Sequence, residues 1–141
     1  GLGVMNARAV YYAKKDPRFT DFLTDGRSFG PHGEELVLAN SISDYDDALS
    51  RELTEKVAHA NLEMRRMGFK PYVAPAFSSG ALSLLSCLRG QWHYSSAFLG
   101  GVFMGGRNRL TDRGVEFERL PLPGALISRL KETEEKLKAI L

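Results

Sequence analysis

The chain has 141 residues, 43% of them hydrophobic and 26% charged, with a formal net charge of +2. Those proportions match an ordinary globular domain, large enough to bury about two thirds of the surface its unfolded form would expose, rather than a disordered tail. No apolar run approaches the roughly 20 residues a bilayer helix needs, so no membrane partner is expected. The near-balanced charge argues against nucleic acid, which calls for a clustered basic face.

A single cysteine, Cys87, cannot form an internal disulfide. It lies in the apolar run from Leu82 to Leu88, reads as a small buried thiol, and fits a reducing, cytoplasmic compartment. With no internal repeat and no low-complexity tract, residues 1–141 read as one soluble α/β domain. Gly1-Leu2-Gly3-Val4 stands ahead of Met5 either as an expression scar or as the continuation of a strand, and is left out of the fold reading.

In chain order, Val10, Tyr11 and Tyr12 predict a strand over Ala9 to Ala13. Residues 16–35 carry Pro17, Gly26, Gly30, Pro31 and Gly33 and predict a long loop with a short helix at Phe19 to Leu23. Leu36-Val37-Leu38-Ala39 within Glu35 to Ile42 predicts a central strand covered on both faces. Leu49, Leu53, Val57, Ala60, Met64 and Met67 recur at steps of three and four and predict a helix over Asp44 to Met67. Its start carries Ser43, Asp44, Asp46 and Asp47 as capping groups, and Gly68-Phe69 reads as a Schellman stop.

Pro71 to Phe77 then reads as a strand, and Ala81 to Leu88 as a short, strongly buried helix. Trp92 to Met104, apolar on both alternating faces, predicts a core strand bent at Gly100-Gly101. Thr111 to Gly114 predicts a turn into a strand over Val115 to Leu120, and Leu126, Ile127, Leu130, Leu137 and Ile140 mark a terminal helix. The expected architecture is a single layered domain with a mixed, partly parallel sheet, a C-terminal β-hairpin and a terminal helix.

Chemistry has few places to sit. Ser78, Ser79 and Gly80 fall at the predicted handover from strand to helix, where free backbone N–H groups would favour an anion; capping by Ser79 explains the same residues. Arg107 and Arg109, following Gly105-Gly106, would point to one side of an extended chain and grip a phosphate or carboxylate, unless they pair with Glu116 and Glu118 across the turn. His93 shares a strand face with Ser95 and is a further ligand candidate, but nothing in the sequence supplies the third group of a nucleophilic triad.

His32, His59 and Cys87 lack metal-ligand spacing, Asp44, Asp46 and Asp47 lack the glycine and distal glutamate of a calcium loop, and no metal is expected. Walker A, G-x-G-x-x-G, G-x-S-x-G and C-x-x-C patterns are missing, so no cofactor and no reaction type can be assigned. These observations lead to a small anionic ligand, bearing phosphate or carboxylate, at the carboxyl edge of the sheet. A different class of function is a non-catalytic homo-oligomeric module using the glycine- and aromatic-rich stretch 92–106 as its interface.

Overall fold

The computed structural model, which describes residues 1–69 and 74–140, opens with a helix where the sequence predicted a strand. Helix α1 spans Leu2–Lys15, and Leu2, Met5, Ala9 and Ala13 line one face at helical spacing, all buried. Val10, Tyr11 and Tyr12 favour a strand locally, whereas the helical stripe begins at Leu2, within residues 1–4. Tertiary packing overrode local propensity.

Asp16 caps a single 3-10 turn, Pro17–Phe19, by accepting from the Arg18 N–H. Helix α2 (Phe22–Asp25) and strand β1 (Arg27–Phe29) follow, so much of the predicted 16–35 loop is regular structure, with its short helix displaced toward the C-terminus. The physical reason is aromatic burial: Phe19 and Phe22 both enter the core beneath α1.

Strand β2 (Val37–Ala39) is buried on both faces, as predicted, but among the described residues it pairs only with β1 and is not the centre of a large sheet. Its alternating side chains supply two cores. Leu38 packs with Leu2, Met5, Ala9, Phe19 and Phe22, while Val37 and Ala39 face Ile42 and Leu126.

Helix α3 (Asp47–Arg66) follows the predicted stripe at Leu53 and Val57, which are fully buried, whereas Met64 and Met67 are exposed. Asp46 provides the cap by accepting from the Leu49 N–H. The Schellman stop is present: Phe69 N–H donates to Met64 O, Gly68 N–H donates to Arg65 O, and Gly68 adopts φ +87°.

Helix α4 (Ala74–Leu88) corrects two expectations. Ala74 to Phe77 are helical rather than extended, and Pro71 to Val73 of the predicted strand lie outside the described residues. The helix is not strongly buried either, since Leu82, Leu84, Leu85 and Leu88 are exposed and Cys87 is only half-buried. The apolar run from Leu82 to Leu88 implies a core position, yet nothing among the described residues covers the outer face of the helix.

Strands β3 (His93–Leu99) and β4 (Val102–Thr111) form a hairpin instead of one bent core strand. Gly100 and Gly101 both take positive φ, +59° and +92°, which makes the tight turn that twisted strands prefer. Strand β5 (Gly114–Phe117) completes the predicted second hairpin, and helix α5 (Gly124–Lys138) the predicted terminal helix, with Glu132–Lys136 and Glu134–Lys138 pairs at 3.0 and 2.9 Å.

The chain is an α/β domain with a two-stranded sheet, β1-β2, and a three-stranded meander, β3-β4-β5. Every described strand pairing is antiparallel, so the expected parallel crossovers are replaced by local hairpins, whose short loops cost little closure entropy. A Gly30 N–H donating to Gly105 O at 2.9 Å joins the two sheets. Arg129 on α5, itself buried, donates to Leu38 O, Tyr45 Oη and Thr54 Oγ1 and ties α5 to β2 and α3. No helix among the described residues is long and apolar enough to cross a membrane.

A Cβ added at Gly105 would collide with the main-chain carbonyl of Ser95, whereas one added at Gly106 would meet only the Phe29 ring at 3.4 Å. In urea unfolding, Gly105→Ala should therefore lose about 2 kcal/mol or more and Gly106→Ala much less; equal losses would contradict the close approach.

Asp25 Oδ2 accepts four hydrogen bonds, from Ser41 Oγ, Ile42 N–H, Ser43 N–H and Ser43 Oγ, at 2.6 to 2.8 Å. The Ser41 hydroxyl foremost, then the Ser43 N–H, holds this carboxyl far below the usual carboxylate range. A carboxyl depressed in the folded state adds stability above its unfolded value, near pH 4, and loses it as pH falls toward the folded value. Asp25→Asn should lower stability at neutral pH by about 2 kcal/mol and flatten its decline below about pH 4, as measured by thermal melts across pH.

Candidate functional site

Helices α1 and α4 and the start of β3 enclose a cleft of about 470 Å³. Gly3 makes the convergence feasible, because a Cβ there would stand 2.8 Å from Ser83 Oγ and 3.4 Å from Tyr94 O. The α1 wall presents Asn6, Ala7 and Val10; the α4 wall presents Ser79, Ser83 and Ser86, spaced by four and three so that their hydroxyls line one helical face. Trp92, His93, Tyr94, Arg27 and Arg107 close the far side.

The basic groups are held by one carboxylate. Glu118, just beyond β5, accepts from Arg27 Nε at 2.7 Å and from Arg107 Nη1 at 2.8 Å. Glu118 and Arg27 are nearly buried, with side-chain exposures of 17% and 13%. One carboxylate facing two guanidinium groups leaves this wall with a net positive charge. The Glu118 hydrogen bond strengthens the charged form of Arg27, and burial pushes the Tyr94 phenol up so that it stays protonated.

Arg107 and Arg109 also stack near Trp92, their guanidinium carbons 5.6 and 4.6 Å from the ring centre. Arg109 pairs with Glu116 at 2.8 Å, so both arginines make the cross-turn ion pairs the sequence offered as the alternative to ligand binding. Arg107 reaches the cleft as well; Arg109 does not line it.

Ser78, Ser79 and Gly80 lie inside α4 rather than at a strand-to-helix turn, which corrects the basis of that prediction. Backbone N–H groups beyond the first helical turn are spent on the helix itself. Ser79 instead faces the cleft through its side chain. His93 lines the cleft with Nδ1 3.1 Å from Gln91 O, and Ser95 bonds Asn108, so His93 and Ser95 make no nucleophilic pair.

The structure thus gathers Ser79, His93 and Arg107 and leaves Ser78, Gly80 and Arg109 outside. Sequence reasoning missed Ser83, Ser86, Asn6 and Arg27. The 79-83-86 serine spacing makes one face only because the helix begins before Ser79, at Ala74.

Two further basic side chains lie outside the cleft. Arg8, half-buried on α1, donates to Val57 O at 3.3 Å and has no carboxylate within ion-pair distance among the described residues; burial lowers its pKa. His32, on the loop between β1 and β2, sits with Nδ1 3.3 Å from Gly1 O. Asp46 and Asp47 act as the helix cap and as the partner of Arg51, and no three His, Cys, Asp or Glu side chains cluster for a metal among the described residues.

Known proteins match this geometry at the level of fold. No family model and no curated protein matches the sequence. Among solved structures, the chain is similar to malate dehydrogenase from Archaeoglobus fulgidus in complex with NADH, at 19% identity and TM-score 0.66 over 99% of this chain and 49% of that one. Malate dehydrogenase from Salinibacter ruber (20% identity, TM-score 0.66, 97% and 51%) and apo lactate dehydrogenase from Trichomonas vaginalis (16%, 0.71, 98% and 51%) are similar over corresponding spans. The chain spans about half the length of these dehydrogenases and shares their α/β fold over that half.

The shared carboxylate sets a test of the site wall. Glu118→Gln should cost about 3 kcal/mol, because it leaves the nearly buried Arg27 guanidinium without its counter-charge. Glu118→Leu combined with Arg27→Met should recover part of that loss in chemical denaturation; no recovery would mean the pair is not what the wall depends on.

Proposed function

We propose that this chain is the half of a dehydrogenase-like protein that does not carry the dinucleotide, and that it binds a small carboxylate-bearing molecule in the cleft between α1, α4 and β3. The observation that carries the proposal is the fold likeness over nearly the whole chain to half of several malate and lactate dehydrogenases. The choice of half follows from topology. A dinucleotide fold needs a parallel sheet and a G-x-G-x-x-G turn, whereas the described strands pair antiparallel and the sequence has no such turn. Cleft size and lining agree with a small polar acid: hydroxyl donors on α4 and a guanidinium on β4 supply hydrogen bonds and charge. Arg8 is a second place where a carboxylate would compensate a half-buried cation.

A thermal-shift titration with malate, lactate, oxaloacetate and inorganic phosphate tests the proposal. A ligand at a hundred times its dissociation constant adds about 2.7 kcal/mol. A 2-hydroxy or 2-oxo acid should raise Tm, Arg107→Ala should remove that rise while Arg109→Ala leaves it, and Arg8→Ala separates the two candidate cations. NADH should have no effect. A rise with NADH and none with the acids would overturn the assignment.

The alternative, a homo-oligomeric module, is favoured by one observation. Phe98 and Phe103 pack edge to face beside the Gly100-Gly101 turn and remain 63% and 65% exposed. Light scattering of the wild type and of Phe98→Lys with Phe103→Lys decides it, a fall in mass supporting the interface and a monomer in both excluding it.

A further inference from the structure

A second concavity, of about 520 Å³, lies between the β3-β4 hairpin and α5, and Arg107 borders both it and the first cleft. Its walls are apolar: Phe29, Leu99, Val102, Met104, Leu122 and Leu130. Gly105 and Gly106 of β4 also line it. A volume within the roughly 300–1,000 Å³ typical of ligand sites, lined by hydrocarbon and bordered by a few charges, has the form of a small-molecule pocket.

The charges decide the ligand class. Both carboxylates at the groove are already compensated, Glu118 by Arg27 and Arg107 and Glu134 by Lys138 at 2.9 Å. Arg119, also at the groove, is exposed and pairs with no carboxylate among the described residues. The groove therefore combines hydrocarbon walls with an uncompensated cation at its mouth.

We propose that this groove binds an amphipathic monocarboxylate, with the hydrocarbon tail against the Leu99, Met104, Leu122 and Leu130 surface and the carboxylate at Arg119. Such a ligand differs from the small polar acid assigned to the first cleft, which has serine hydroxyls where this groove has aliphatic side chains. The tail gains from leaving water, and the guanidinium supplies the charge-assisted hydrogen bonds that select an acid over an alcohol.

Calorimetric titration of the purified chain with decanoate, decanol and acetate tests this. Decanoate should bind once per chain, decanol about tenfold more weakly, and acetate not measurably, since it lacks the tail. Arg119→Glu, an exposed substitution, should reduce decanoate to the level of decanol or below and leave decanol unchanged. Met104→Trp, which fills the groove, should abolish both while circular dichroism and Tm stay those of a folded chain. No saturable decanoate binding would overturn the proposal, as would equal affinity for acid and alcohol, or a decanoate affinity indifferent to Arg119→Glu.

Discussion

Glu118 is the hinge of the architecture because it is a nearly buried carboxylate with two cationic partners from different sheets. Arg27 comes from β1 and Arg107 from β4, so one side chain links the two-stranded sheet to the meander. A carboxylate removed from water is stable only when its charge and lone pairs are met, and that demand fixes the relative position of three segments far apart in sequence. The same ion triad borders the cleft and the groove. A structural requirement therefore places positive charge where a carboxylate ligand would use it.

Two further features give the domain its shape. Strand β2 is only three residues long, yet it supplies both cores, because alternate side chains of a strand point to opposite faces. Small residues set the distances around it: Ala9 and Ala13 in the buried stripe of α1, Gly3 against α4 and β3, and Gly105 against β3. At these places the missing side chain, rather than an attractive contact, is what allows the elements to converge.

Helix α4 departs most from what its sequence promised. A helix without charge is normally enclosed, and the exposed leucines at 82, 84, 85 and 88 explain why composition suggested a core position. Its inner face nevertheless carries the serines that line the cleft. Polar and apolar residues share the helix at helical spacing, a pattern hidden when the helix is started at Ala81, after Ser79. The hairpin turn at Gly100-Gly101 was obscured in the same way, since apolar residues on both sides imitated one continuous strand.

The sequence by itself determined the elements whose signals are local. The α3 helix with its stripe as far as Val57 and its Schellman stop, the turn at Thr111 to Gly114 and the terminal helix with its i,i+4 ion pairs all depend on neighbours within a few residues, and all are found in the structure. Only the tertiary structure decided the helical state of Ala9 to Ala13, the antiparallel pairing of the strands and the gathering of Ser79, His93 and Arg107 around one cleft. Those outcomes depend on burial of Leu2, on hairpin closure and on Glu118 meeting Arg27 across 91 residues of chain. Such long-range contacts leave no periodic trace in a single sequence, because their energy is gained only after the chain has brought distant residues together.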